Sequence, residues 1–154
     1  GMMISPMNAW LTNMNLETLP LRMVKHSENG QKLAEFLASH PKVDWVEYPG
    51  LPNSSSAALA KKYLKACGGV MTFGPKGGRK AAEKLLNSLE LAALVIHVAD
   101  ARTGVLHPAS TTHRQLSDEE QRATGILPER IRVSVGLEHI DDIIADFDQA
   151  LSKI

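Results

Sequence analysis

The segment from Asp100 to His113 carries the densest group of chemically capable side chains in this 154-residue sequence. It reads D-A-R-T-G-V-L-H-P-A-S-T-T-H and includes two histidines, one aspartate, one arginine and four hydroxyl residues. Loops at strand ends often carry function, but such side chains also hydrogen-bond to the backbone of their own loop. The residues alone favour the second interpretation, an ordered loop without regular secondary structure.

Arg132 is the second candidate, because it lies in the alternating run I-R-V-S-V, which predicts a strand. Arg132 and Ser134 then share one polar face, opposite Ile131, Val133 and Val135. A guanidinium held by a strand can bind a carboxylate through two parallel hydrogen bonds. An arginine on the wet face of a sheet can also pair with a nearby Glu or Asp, and spacing alone favours that simpler role.

Three other features are interpreted as structural. His107 and His113 are too far apart for one helical turn and no liganding cluster supports them, so no metal site is expected. Lys76 and the two glycines after it lack a complete phosphate-binding fingerprint, and a turn before a helix is the better interpretation. Cys67 has no indicated histidine partner, which favours a passive thiol.

Composition argues against several classes of partner. The 17 Lys and Arg balance the 17 Asp and Glu, so net charge gives no reason to bind nucleic acid or an anionic membrane. No apolar run approaches the ~20 residues of a membrane span, and no signal peptide is recognisable. A single cysteine excludes an internal disulfide, and together these features predict a cytoplasmic protein.

The apolar pattern predicts a single α+β domain over residues 1–154, in which short strands are separated by helices. Two long helices lead the chain, the first starting at Ser5-Pro6 and the second ending near Ser39. Strands are predicted at 43–48, 70–73, 94–98 and 131–135, and further helices at 57–64, after Gly78, after Ser117 and from Ile140 onward.

Ordered motifs along essentially the whole chain resemble the Cys/Met-metabolism family of pyridoxal-phosphate enzymes. They are S-P-M-N-A-W-L from Ser5, L-E-T-L-P-L-R-M from Leu16, H-S-E-N-G-Q-K-L-A-E-F-L from His26, V-E-Y-P-G-L from Val46, T-F-G-P-K-G-G from Thr72, H-P-A-S-T-T-H from His107 and R-V-S-V-G-L-E-H-I-D-D-I-I-A-D from Arg132. The D-A-R-T segment, with H-P-A-S-T-T-H-R-Q-L after it, resembles the O-acetylhomoserine sulfhydrylase branch more than the lyases.

This resemblance implies a small C-terminal domain of a fold-type I enzyme. Such a domain has a few-stranded, mainly antiparallel sheet with helices packed on one face, preceded by long N-terminal helices. The large domain of the family, which lies upstream, binds pyridoxal phosphate and provides the Schiff-base lysine. No catalytic lysine and no bound cofactor are therefore expected in this chain, which alone should be inactive.

For the complete enzyme, the resemblance implies synthesis of homocysteine from O-acetylhomoserine and sulfide, and a homo-oligomer that is commonly a tetramer. The alternatives are a methionine γ-lyase, or a cystathionine γ-synthase or lyase. A non-catalytic, stand-alone module that binds a full-length partner also stays open. Gly1 is interpreted as the remnant of an expression tag, which makes Met2 a candidate natural start.

Two residues are assigned to the substrate by the resemblance. Arg132 stands in the family's R-x-S-V-G context, where the arginine binds the substrate α-carboxylate, and this reverses the preference that spacing alone gave. His97 occupies a position where many family members place Ser or Asn close to that carboxylate. A histidine there could still donate a hydrogen bond to the carboxylate.

Overall fold

The computed structural model describes all 154 residues, which form six α-helices and five strands. In chain order these are α1 (Pro6–Glu17), α2 (Leu19–Ser39), β1 (Val43–Glu47), α3 (Ala57–Tyr63), β2 (Val70–Pro75), α4 (Gly78–Leu86), β3 (Ala93–Leu94), β4 (Gly104–Leu106), α5 (Asp118–Ala123), β5 (Ile131–Ser134) and α6 (Ile140–Ser152). A short 3-10 turn at Pro108–Ser110 follows β4. None of the helices combines the length and apolar character that crossing a membrane requires.

The five strands form one sheet in the order β1-β2-β5-β4-β3. The pairs β1–β2, β2–β5 and β5–β4 are antiparallel, whereas β3 and β4 are parallel. The sheet is therefore mixed and mainly antiparallel, which confirms the predicted α+β class. The last strand in the chain, β5, lies in the centre of the sheet between β2 and β4.

One face of this sheet is covered by helices. Residues directly opposite each other on neighbouring strands point to the same face, so Met71 shares a face with Val133, and Phe73 with Ile131. These side chains belong to a single core cluster with residues of α2, α4 and α6. Phe147 of α6 meets Phe73 edge to face, with 6.1 Å between ring centroids. We call this side of the sheet the covered face.

The opposite side, which we call the open face, carries the intervening residues of the same strands. Thr72 lies opposite Arg132, and Leu106 flanks Arg132 on the other side. Ser134, two residues after Arg132, points to the open face as well. The predicted alternation of β5 is therefore confirmed, since Arg132 and Ser134 share a face that Ile131 and Val133 do not.

Two sequence predictions are wrong around β4. Residues 104–106 form a strand, and a 3-10 turn follows, where a loop without regular structure was expected. All three strand residues are buried, so no polar–apolar alternation marks the strand in the sequence. The strand predicted at 94–98 is also shorter, because β3 ends at Leu94 and the chain then leaves the sheet.

Helix ends follow local sequence rules more closely. Ser5 caps α1 by accepting a hydrogen bond from the N–H of Asn8 (3.2 Å). Ser117 and Glu120 form the predicted capping box at the start of α5. Pro20 lies in the first turn of α2, where its missing N–H removes no helical hydrogen bond.

Candidate functional site

Arg132 occupies the centre of the open face. Its strand neighbours Ile131 and Val133 are 0% exposed and belong to the core, so the backbone at Arg132 is firmly anchored. Its side chain points away from that core and toward the segment that follows β3. The guanidinium is therefore carried by a rigid element rather than by a loop.

The guanidinium of Arg132 is held by backbone carbonyls. Its Nη2 donates to the carbonyl oxygen of Ile96 at 2.8 Å and, more weakly, to that of His97 at 3.4 Å. Its Nε is buried without a hydrogen-bond partner, and its Nη1 donates to no protein group. None of the ion pairs in the structure involves Arg132. The positive charge is therefore held in place but not neutralised.

His97 lies beside Arg132 through its backbone. Its carbonyl accepts from the arginine, while its imidazole is exposed to solvent and forms no hydrogen bond with the protein. Asp100, three residues after His97, accepts a hydrogen bond from the N–H of Arg102 (3.0 Å), and this hydrogen bond lowers the pKa of the Asp100 carboxyl. The two sequence-predicted site residues are therefore in contact on the open face through the backbone of His97.

The chain around Thr103 is fastened to the end of β5 by a polar network. The Glu138 carboxylate accepts from the backbone N–H of Thr103 (2.6 Å) and from its hydroxyl (2.9 Å). That hydroxyl in turn accepts from the N–H of Gly136 (2.9 Å). Asn29 of α2 donates to the carbonyls of Gly136 (3.0 Å) and Glu138 (2.9 Å). The D-A-R-T segment and α2 are therefore joined by hydrogen bonds to the segment that directly follows β5.

Gly136 is required by this close approach. A Cβ atom built at this position would lie 2.5 Å from both the carbonyl carbon of Arg102 and the nitrogen of Thr103. No side chain fits in that space without moving backbone. The sequence analysis did not identify Glu138 or Asn29 as members of this network, since their partners lie 35 and 107–109 positions away in the chain.

The buried histidine of the Asp100–His113 segment, His107, is used structurally. His107 is 1% exposed, and its two ring nitrogens contact the Ser110 hydroxyl (2.8 Å) and the Pro128 carbonyl (2.7 Å). The hydroxyl of Thr111 donates to the His107 carbonyl (2.7 Å). No group of three His, Cys, Asp or Glu side chains is arranged to hold a metal ion. These contacts match the interpretation of a segment held by its own side chains.

A second arginine on the open face is already paired. Arg130 donates to both carboxylate oxygens of Glu47 (2.6 and 3.2 Å) and to the Thr72 hydroxyl (2.8 Å). Its guanidinium lies 4.7 Å from the ring centroid of Trp45. The hydrogen bond from Arg130 lowers the pKa of Glu47 below its ordinary value of 4.5. The charge of Arg130 is therefore neutralised within the protein, although its Nε, like that of Arg132, has no hydrogen-bond partner.

The sequence matches known proteins along its whole length. A family described as Cys/Met metabolism PLP-dependent enzymes matches residues 1–152. An O-acetyl-L-homoserine sulfhydrylase of Leptospira meyeri is 49% identical over 156 residues, a match that covers 100% of this chain and 35% of that protein. A homocysteine synthase of Schizosaccharomyces pombe is 53% identical over 148 residues, covering 96% of this chain and 34% of that protein.

Lyases of the same family also match. An L-methionine gamma-lyase of Treponema denticola is 44% identical over 154 residues, covering 100% of this chain and 38% of that protein. The chain therefore spans about a third of the length of the curated relatives it matches.

A solved structure shares the fold. The crystal structure of a protein assigned as an O-acetylhomoserine (thiol)-lyase from Campylobacter jejuni superposes with a TM-score of 0.91 at 42% identity. The match covers 97% of this chain and 36% of that one. That protein carries N'-pyridoxyl-lysine-5'-monophosphate at its position 205, outside the matched span.

The lysines of this chain lie at or near its surface. All are exposed except Lys25 and Lys42, which are half-buried. The Lys42 amine is occupied at the end of α6, where it donates to the carbonyls of Leu151, Ser152 and Ile154 at 2.7–3.0 Å. The group that the chain provides is the guanidinium of Arg132, which is held in place by backbone carbonyls and is not paired with a carboxylate. The chain belongs to the Cys/Met-metabolism family of PLP-dependent enzymes.

Proposed function

We propose that this chain is the C-terminal, substrate-covering domain of a pyridoxal-phosphate-dependent enzyme that makes homocysteine from O-acetylhomoserine and sulfide. The identities to the Leptospira sulfhydrylase and the yeast homocysteine synthase support this reaction. The proposed complete enzyme is a cytoplasmic homo-oligomer, with an amino acid as its substrate. Because the positive and negative charges of the chain balance, we propose neither a nucleic acid nor a membrane as a partner.

The observation that carries the proposal is the state of Arg132. Its Nη2 is held by the carbonyls of Ile96 and His97 while Nε and Nη1 have no protein partner. A carboxylate is the anion that an amino-acid substrate brings, and its two oxygens match the planar donors of a guanidinium. We therefore assign the substrate α-carboxylate to Arg132.

Holding the guanidinium in advance favours binding. An arginine side chain loses several rotatable bonds when it binds a ligand, and the contacts to Ile96 and His97 fix it beforehand. Each charged hydrogen bond to the carboxylate then contributes about 1.5–3 kcal/mol. A carboxylate fixed in this way orients the Cα–H bond of the substrate for cleavage. Pyridoxal phosphate, when bound by the rest of the enzyme, supplies the electron-withdrawing chemistry.

His97 is proposed as a second, weaker contact to the same carboxylate. Its imidazole is free of protein hydrogen bonds and exposed, and its own carbonyl lies against Arg132. A single hydrogen bond contributes less than the two charged hydrogen bonds that a guanidinium offers. Replacing His97 should therefore cost less binding than replacing Arg132.

The reaction is tested by comparing two substrates on the purified complete enzyme. With O-acetylhomoserine and sulfide we expect homocysteine and acetate, with a higher kcat/KM than for methionine breakdown. A higher kcat/KM for release of methanethiol, ammonia and 2-oxobutanoate from methionine would instead make the enzyme a γ-lyase. Arg132→Ala should impair both reactions, since both substrates carry an α-carboxylate, and this separates the assignment of the site from that of the reaction.

The expected division between domains has its own test. Residues 1–154 alone, mixed with pyridoxal phosphate, should not form a stoichiometric imine at one specific lysine. Absorbance spectra and mass spectrometry after borohydride reduction measure this directly. A single lysine labelled at one cofactor per chain would show that this domain holds the cofactor itself.

A further inference from the structure

The two carbonyls that hold Arg132 belong to a short irregular segment, residues 95–99, which we call the carbonyl segment. At its start, the Val95 N–H donates to the Val105 carbonyl of β4 (3.1 Å). At its end, the Ala99 N–H donates to the Ser134 hydroxyl oxygen (2.9 Å). Ser134 lies two residues after Arg132 on the same strand and the same face. One strand therefore carries both the arginine and an anchor of the segment that holds it.

The anchored end of the carbonyl segment is strained. Ala99 has φ 61°, and no other non-glycine residue of this chain has a positive φ. A Cβ atom makes this left-handed conformation unfavourable, and such residues keep it only where the surroundings fix them. The hydrogen bond from Ala99 to Ser134 is the fixing contact that the structure shows at this residue.

The Ser134 hydroxyl is the acceptor that the protein provides for the N–H of Ala99, a residue that is itself exposed to solvent. Ser134 is 3% exposed, and with Val98 and Ala99 it lines a cavity of about 220 Å³ whose lining is mostly apolar. Removing the hydroxyl would leave the Ala99 N–H to water at the edge of this cavity, and a mobile water fixes the turn less firmly than a side chain held by the strand. The left-handed turn at Ala99 would then relax, and the carbonyls of Ile96 and His97 would move with it.

We propose that Ser134 is a positioning residue for the substrate carboxylate. It fixes the carbonyl segment, the carbonyl segment fixes the guanidinium of Arg132, and the guanidinium binds the carboxylate. The proposal rests on the carboxylate role of Arg132 given above. Because the Ser134 hydroxyl is engaged by Ala99 and not by the reacting atoms, its loss affects binding of the substrate rather than the chemical step.

The test uses Ser134→Ala in the complete enzyme. We expect KM for the amino-acid substrate to rise about tenfold, equivalent to about 1.4 kcal/mol, while kcat changes less than about twofold. Hydrogen exchange measured by mass spectrometry should become faster in the peptide that contains the carbonyl segment. Ser134→Thr keeps the acceptor, and the adjacent cavity has room for its methyl group, so KM should stay within about threefold of the unmodified enzyme.

The matched control is Ser88→Ala, which removes a half-buried hydroxyl that bonds only the Lys84 carbonyl at the end of α4. It should change neither KM nor the exchange of the carbonyl segment. Should Ser134→Ala fail to fold, Ser134→Cys fills nearly the same space with a weak acceptor and should raise KM in the same direction.

The outcomes separate this inference from the proposed function. A normal KM for Ser134→Ala, beside a large loss for Arg132→Ala, overturns the positioning role and leaves the arginine assignment intact. A loss confined to kcat also overturns it, because Ser134 would then act on the chemical step. If Arg132→Ala binds and turns over substrate normally, the proposed carboxylate role fails and the positioning inference fails with it.

Discussion

Arg130 and Arg132 lie two residues apart and on the same face of the sheet, yet their surroundings differ. Arg130 meets both oxygens of the Glu47 carboxylate, so its charge is neutralised within the protein. Arg132 meets only neutral carbonyls, which orient a guanidinium without cancelling its charge. The comparison teaches that a fixed arginine becomes a ligand site when its partners hold it and leave its charge available.

The alternating pattern of the sequence does not distinguish Arg130 from Arg132. Both occupy polar positions in the alternating pattern around β5, and either of them could have been paired with a carboxylate. The partner of Arg130 lies 83 residues earlier in the chain, and the partners of Arg132 lie 35 and 36 residues earlier. These partners become neighbours only through the strand order of the sheet.

The largest expected effect comes from disrupting the core on the covered face, which supports the part of the sheet that carries both arginines. Phe73 is fully buried on the covered face and packs against Phe147. Phe73→Ala should lower the free energy of unfolding of residues 1–154 by about 3–5 kcal/mol, because it removes a buried ring and leaves a cavity. Urea unfolding followed by circular dichroism measures this, and a loss below about 1 kcal/mol would show that the covered face does not carry the fold.

The next effect separates the arginines by activity. In the complete enzyme, Arg132→Ala should reduce kcat/KM at least ~10²-fold, because two charged hydrogen bonds to the substrate are lost. Arg132→Lys should recover only part of this, since a lysine keeps the charge without the planar pair of donors. The thermal midpoint should change little, because the head group lies off the core. Near-normal kcat/KM at an unchanged midpoint would exclude the carboxylate role.

Arg130→Ala is the matched control and should show the opposite pattern. It removes the ion pair with Glu47 and the contact with the Trp45 ring. Since Glu47 is 62% exposed at its side chain, the expected loss of unfolding free energy is only about 1 kcal/mol. The value of kcat/KM should stay within about threefold of the unmodified enzyme. A loss of activity equal to that of Arg132→Ala would end the distinction between the two arginines.

The smallest expected effect is a pH dependence of stability at Glu47. The hydrogen bond from Arg130 lowers the pKa of Glu47 in the folded state, so its contribution is present above the ordinary value of 4.5 and is lost as the pH falls below it. The difference in urea midpoint between the unmodified chain and Glu47→Gln should therefore be larger at pH 7 than at pH 3.5. An equal difference at both pH values would contradict the pairing.

Local patterns in the sequence predicted the parts of the fold that depend on local physics. The alternation of Ile131 to Val135 identified a strand and its two faces, and Ser117 with Glu120 identified a capping box. β4 was missed because all of its residues are buried, which removes the alternation. The strand from Leu94 was predicted too long, because the turn at Ala99 is held by Ser134 from a distant part of the chain.

The candidate site, like the fold, could be predicted from the sequence only in part. Motif resemblance selected Arg132 and His97, and in the structure the backbone of His97 contacts Arg132 on the open face. The Ser134–Ala99 contact and the Glu138 network could not be predicted, because they join residues 33–35 positions apart and, for Asn29, 107–109 positions apart through tertiary contacts. Arg132 was chosen over Arg130 from the family motif rather than from spacing.

The most direct test of the central claim is a binding measurement that varies the ligand and the arginine together. Calorimetry on the complete enzyme should compare an amino acid that binds without turnover with the corresponding amine that lacks the carboxylate. Arg132→Ala should weaken binding of the amino acid at least ~10²-fold and leave binding of the amine unchanged, and Arg130→Ala should affect neither ligand. Equal weakening of amino acid and amine by Arg132→Ala, or no weakening of either, would contradict the assignment of the carboxylate to Arg132.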